Sequence, residues 1–128
     1  MAFTKMVTCL AEGRPFELYG DGTQSRSFTY VDDAVEATIA AQERGVSGST
    51  FNVGGGTEVS MLDAIETLAR IAKRRLEVVR MPRREGDAAR TVADTTRIRH
   101  ALGWEPTTPF EQGLEAQWRW AADRVAAA

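Results

Sequence analysis

Apolar positions recur along this chain with two periods, and the switches between them mark the elements. Phe3, Met6, Val7 and Leu10 follow helical spacing, and Gly13 supplies a C-terminal stop. Residues 16–19 and 26–31 read as two strands flanking Gly20-Asp21-Gly22, the pattern of a hairpin. Asp32 or Asp33 then caps a helix that runs to about Arg44 and ends at Gly45. Residues 50–53 form a short apolar strand before the Gly54-Gly55-Gly56 turn. Ser60 with Asp63 reads as a capping box, opening a helix whose stripe is Leu62, Ile65, Leu68, Ala69 and Ala72. Residues 76–81 are strand-like and end at Pro82; a polar, arginine-rich loop follows to Arg90, then a short strand at 91–93. A brief helix at 98–102 stops at Gly103. Thr108, Pro109 and Glu111 open a last helix carrying Leu114, Trp118 and Ala121. The fold class expected is α/β: one small mixed domain of short strands and about five helices, without regular βαβ alternation.

Composition narrows the function classes. With 16 basic and 18 acidic residues the net charge is −2, which gives no general attraction to nucleic acid or anionic membrane. No apolar run approaches membrane-spanning length. Cys9 is the single cysteine, so an internal disulfide is excluded and a reducing cytoplasm fits. Its place on an apolar helix face predicts a buried thiol. One cysteine and one histidine, His100, do not make a zinc set. Trp104 and Trp118 are expected in the core, and Arg70, Arg74 and Arg75 complement a helix dipole.

Two loops carry candidate chemistry. Arg26 lies on a short β segment after a glycine-rich turn, where its planar fork suits phosphate; an exposed arginine on a hairpin fits that segment equally well. Arg83-Arg84-Glu85-Gly86-Asp87 offers cations, a permissive glycine and a carboxylate that could accept from a ribose diol, or is simply a solvated charged loop.

In series, Tyr-Gly-Asp-Gly-Thr-Gln-Ser-Arg-Ser-Phe-Thr-Tyr-Val-Asp-Asp (19–33), Phe-Asn-Val-Gly-Gly-Gly (51–56), Arg-Glu-Gly-Asp (84–87) and Leu-Gly-Trp-Glu-Pro (102–106) resemble the C-terminal half of the NAD-dependent nucleotide-sugar epimerase/dehydratase family, the extended short-chain dehydrogenases. The wording is most similar to the UDP-glucose 4-epimerase branch. The resemblance spans residues 1–128 and implies a nucleotide-sugar binding domain. Arg26 and Arg84 would grip the pyrophosphate, Asp87 would hold the ribose, and the strand edge at Leu18 and Tyr19 would lie along the base. Many members carry aspartate where Ser27 stands. Asp32 and Asp33 are read as structural.

The resemblance also implies what the residues do not supply. Gly54–Gly56 does not open a helix in the dinucleotide pattern, and Thr23 and Ala34, not lysines, stand four residues after Tyr19 and Tyr30. The expectation is therefore a chain without catalytic residues of its own, inactive alone. It would bind a UDP-type nucleotide-sugar but no cofactor, with NAD and the N-terminal Rossmann domain belonging to the full-length enzyme. Apolar surface left bare by that separation would favour homo-oligomers. The alternative is a non-catalytic nucleotide-binding or assembly module, or the same half of a nucleotide-sugar dehydratase.

Overall fold

A computed structural model describes residues 2–127. Its elements are α1 (Ala2–Glu12), β1 (Phe16–Tyr19), β2 (Ser25–Ser27), α2 (Val31–Arg44), β3 (Glu58–Ser60), α3 (Met61–Ala72), β4 (Val78–Met81), β5 (Arg90–Thr91), α4 (Thr96–Leu102) and α5 (Phe110–Ala126). Among the described residues there are five helices, as expected of the small α/β class. They divide into two compact units, each assembled from separated stretches of chain.

The first unit comprises Met1–Gln24, Ser60–Ala89 and Glu111–Ala128. Here β1 and β4 run parallel, with Phe16 opposite Val78 and Tyr19 opposite Met81. Backbone bonds from Phe16 N to Glu77 O (2.8 Å) and from Gly20 N to Met81 O (2.9 Å) carry the pairing past both strand ends. Along β1 burial alternates: Phe16 and Leu18 are buried, Glu17 and Tyr19 half-buried. Core residues include Met6, Val7, Cys9 and Leu10 of α1, Ala64 and Leu68 of α3, and Leu114 of α5. Cys9 is thus the buried thiol that its helix face predicted.

The capping box at Ser60 forms. Its Oγ accepts from Asp63 N at 3.1 Å and donates to Asp63 Oδ2 at 2.6 Å, satisfying a helix N–H that would otherwise lack a partner. The buried face of α3 is Met61, Ala64 and Leu68, while Leu62 and Ile65 are half-buried, so the expected stripe is rotated toward Ala64. Trp118 is likewise half-buried, not fully interior.

The second unit comprises Ser25–Val59 and Arg90–Phe110. Its sheet has the order β3-β2-β5, with Ser25 opposite Arg90 and Arg26 opposite Thr91 in parallel register. The hairpin expected from Gly20-Asp21-Gly22 does not exist: β1 and β2 belong to different sheets, each with a parallel partner distant in sequence. The expected strand at 50–53 is irregular chain, and the ladder position goes to β3 at 58–60.

α2 begins at Val31 with Tyr30, not Asp32 or Asp33, as N-cap and no side-chain cap bond; the carboxylate of Asp33, in the first turn, accepts instead from Thr107 and Thr108. Gly45 ends it in extended backbone; a Cβ there would stand 2.2 Å from Ala41 O, so no larger residue fits that ending. Ala37 and Ala40 pack with Ile98, Leu102 and Trp104 into this unit's core. The opposite side of α2 is also apolar but exposed: Val31, Val35 and Ile39 are 61%, 50% and 48% accessible.

Candidate functional site: the carboxyl ends of β1 and β4

Parallel strands place their carboxyl ends side by side, and the crevice beyond such ends is where open α/β sheets bind ligands. Here the loop of residues 20–24 leaves β1 beside the loop of residues 82–89 that leaves β4. Between them lies a cavity of about 210 Å³ lined by Tyr19, Gly20, Asp21, Thr23, Gln24, Arg83, Asp87 and Ala89. That is below the roughly 300–1,000 Å³ of a site enclosing a whole drug-sized ligand. It has room for one part of such a ligand.

Each loop holds its own shape. Asp21 Oδ1 accepts from Thr23 N at 2.9 Å and from Thr23 Oγ1 at 2.7 Å. The backbone N–H and hydroxyl of Thr23 hold the Asp21 carboxyl below its usual range, against a smaller opposing effect of burial. Gln24 Nε2 donates to Tyr19 O at 2.9 Å, closing the turn over the strand end. Gly22 has φ +87, and a Cβ on it would stand 2.8 Å from Leu62 Cγ; its carbonyl accepts from Leu62 N at 3.1 Å. In the second loop Asp87 N donates to Arg84 O (3.3 Å) and Arg83 Nη2 to Asp87 O (2.9 Å), folding residues 83–87 around Gly86.

The two arginines of that loop have separate positions. Arg83 lines the cavity with Asp87. Arg84 stacks its guanidinium over the Tyr19 ring, 3.8 Å from the centroid. Leu18 is buried, so its side chain belongs to the core and only its backbone is offered at the strand edge. Tyr19, Leu18, Arg84 and Asp87 therefore all belong to the first unit. The sequence names Arg83 only as one of two cations of its loop and Gln24 only within the polar turn, without a role for either.

Arg26 lies on β2 in the second unit and donates Nη1 to Ser25 O at 2.7 Å. Its neighbours in that sheet are strongly paired. Arg90 Nε and Nη2 reach the two oxygens of Glu58, both at 2.8 Å, and Ser25 Oγ donates to Glu58 at 2.5 Å. Those bonds, Arg90's first, hold the Glu58 carboxyl below its usual range.

The family described as GDP-mannose 4,6 dehydratase matches residues 1–117. The chain belongs to this family. It is similar to a UDP-glucuronate 4-epimerase of Thermodesulfobacterium geofontis, 30% identical over 126 residues, covering 98% of this chain and 39% of that protein. A dTDP-glucose 4,6-dehydratase of Neisseria gonorrhoeae is 32% identical over 130 residues, covering 92% and 38%. The crystal structure of a Bacillus cereus UDP-glucuronic acid 4-epimerase, solved with UDP-glucuronic acid and NAD, superposes with a TM-score of 0.91 at 32% identity, covering 97% of this chain and 40% of that one. The chain thus spans about 40% of the length of the relatives it matches. Epimerases and dehydratases stand side by side among them, and related full-length structures bind NAD.

Gly54–Gly56 leads into β3, not into a helix, so the chain presents no strand–glycine–helix cradle for a pyrophosphate at that run.

Proposed function

We propose that this chain is the nucleotide-sugar binding part of an NAD-dependent epimerase or dehydratase, anchoring the nucleoside diphosphate while the hydride chemistry belongs to residues outside it. The observation that carries this reading is the cavity at the β1 and β4 ends, with Asp87 and a pair of arginines on one adjoining loop. Asp21 and Asp87 suit the hydroxyl and N–H donors of a nucleoside, and a diphosphate is left to the arginines.

The Bacillus cereus relative, solved with UDP-glucuronic acid, supports a UDP-type ligand. Asp87 would accept from the ribose diol, the backbone of Leu18 and Tyr19 would meet the base, and Arg84 would take the diphosphate. Two charge-assisted bonds from Arg84 would supply about 3–6 kcal/mol before association costs. The chain alone is then expected to bind UDP at roughly 0.1–1 mM. Arg26 keeps its proposed phosphate role as a separate expectation.

Titration of the chain with UDP, UDP-glucose, UDP-glucuronic acid and NAD, followed by protein NMR, tests the reading. UDP and both UDP-sugars should bind with similar strength and NAD should produce no saturable shift. Arg84→Ala should weaken UDP at least tenfold, and Arg26→Ala is scored in the same series. Absence of UDP binding, or an Arg84→Ala variant that binds like the native chain, would remove the assignment.

A further inference from the structure

Tyr19 meets Arg84 through its ring as well as meeting the cavity. Glu17 and Tyr19 are two apart on β1, so both side chains stand on the face opposite the buried Phe16 and Leu18. On that face four groups form a chain. Lys5 Nζ donates to Glu17 Oε2 at 2.7 Å, Tyr19 Oη donates to the same oxygen at 3.3 Å, and Arg84 lies 3.8 Å above the Tyr19 ring. The parallel register makes this possible, since Tyr19 opposite Met81 brings the chain to Arg84 within three residues of the strand end.

An arginine on an open loop has several rotatable bonds, and ordering such a side chain on binding opposes affinity. A guanidinium held over an aromatic face has lost part of that freedom beforehand, while its N–H groups remain able to donate to an anion. Glu17 is the competing partner, close enough for the Arg84 charge to contribute to its lowered pKa after the larger effects of Lys5 and Tyr19. With Lys5 and the Tyr19 hydroxyl on its Oε2, Glu17 has partners other than Arg84.

We propose that Tyr19 is a positioning residue for Arg84: its ring fixes the guanidinium so that the paired N–H edge meets a diphosphate, and Lys5 occupies Glu17 so that the carboxylate does not take Arg84 as its own ion pair. This rests on the nucleotide-diphosphate reading given above.

The test is a double-mutant cycle on UDP affinity, followed by ¹H–¹⁵N NMR at fixed ionic strength. Tyr19→Leu should weaken UDP about three- to tenfold. Tyr19→Phe, which keeps the ring, should recover most of that loss. In an Arg84→Ala background Tyr19→Leu should have no further effect. Lys5→Gln, on the exposed side of α1, gives an independent arm that does not disturb the core: about a twofold to threefold loss that disappears when Glu17→Gln is added. Equal effects of Tyr19→Leu in both backgrounds, or none in the native one, overturn the proposal; if Tyr19→Leu does not fold, a Lys5→Gln variant with native affinity does so. If Arg84→Ala itself leaves UDP binding unchanged, the nucleotide reading falls and this inference with it. If Arg84→Ala weakens binding and Tyr19→Leu does not, only this inference falls.

Discussion

Asp33 is the buried charge of the second unit, 2% exposed, and replacing it with asparagine is the sharpest test of how that unit is held. Its Oδ1 accepts from Thr107 N at 3.0 Å and Thr107 Oγ1 at 3.2 Å, and its Oδ2 from Thr108 N at 3.2 Å. Its carbonyl accepts from Trp104 Nε1 at 3.1 Å. An asparagine side chain could keep one acceptor on this set, but its amide would turn a donor toward a second donor. A buried donor left unsatisfied costs about 1–3 kcal/mol, and the loss of charge assistance adds to it. Asp33→Asn should therefore destabilise by about 2–3 kcal/mol, lowering Tm by roughly 8–12 °C for a chain of this size.

Burial alone would raise the Asp33 pKa, but the backbone N–H groups and hydroxyls of Thr107 and Thr108 overcome it and hold the carboxyl below its usual value. A depressed folded-state pKa contributes stability that is complete above the unfolded value, near 3.9, and is lost as pH falls through that value toward the folded one. The gap between native and Asp33→Asn chains, read by urea unfolding, should thus be constant above about pH 5 and shrink below about pH 4. Equal stability at pH 7, or a gap that widens on acidification, would refute the reasoning.

Other expectations are narrower. Gly22→Ala puts a side chain at φ +87 against Leu62 and should destabilise by about 2–4 kcal/mol, read by thermal unfolding. Cys9, 1% exposed, should react with a thiol reagent only as fast as the first unit opens, so mild urea should accelerate labelling and native buffer should suppress it. Val35→Glu with Ile39→Glu should lower self-association in sedimentation velocity while leaving Tm nearly unchanged, because that side of α2 is exposed.

What could be read from sequence follows the reach of the interactions. The Ser60 cap, the Gly103 stop, the Cys9 face and the buried Trp104 each depend on neighbours within a few residues or on plain apolarity, and all appear in the structure. Strand pairing depends on partners about 60 residues apart, so Gly20-Asp21-Gly22 read as a hairpin although β1 pairs with β4. Residues 50–53 have the composition of a strand, but composition does not decide which segment takes a ladder. Asp33 looked like a cap for its own helix; only the fold brings Thr107 and Thr108 to it. At the site, the sequence marks residues 83–87 as a cationic loop with Asp87 as a candidate acceptor, but two adjacent arginines are indistinguishable without the conformation around Gly86. That conformation sends Arg83 to the cavity and Arg84 to the Tyr19 ring.

The way the chain is shared between the two units has a kinetic side. It passes from one unit to the other four times, after Gln24, Val59, Ala89 and Phe110, so neither unit is a continuous stretch. The β1–β4 ladder cannot close until a loop of about 60 residues has been brought together, at an entropic cost near (3/2)RT ln n, roughly 3.6 kcal/mol. Helices with local contacts can appear first, and the ladder that shapes the crevice is among the late, slow events. A ribosome must also release β4 before β1 has its partner, so the crevice beyond the two strand ends is assembled only after β4 has been made.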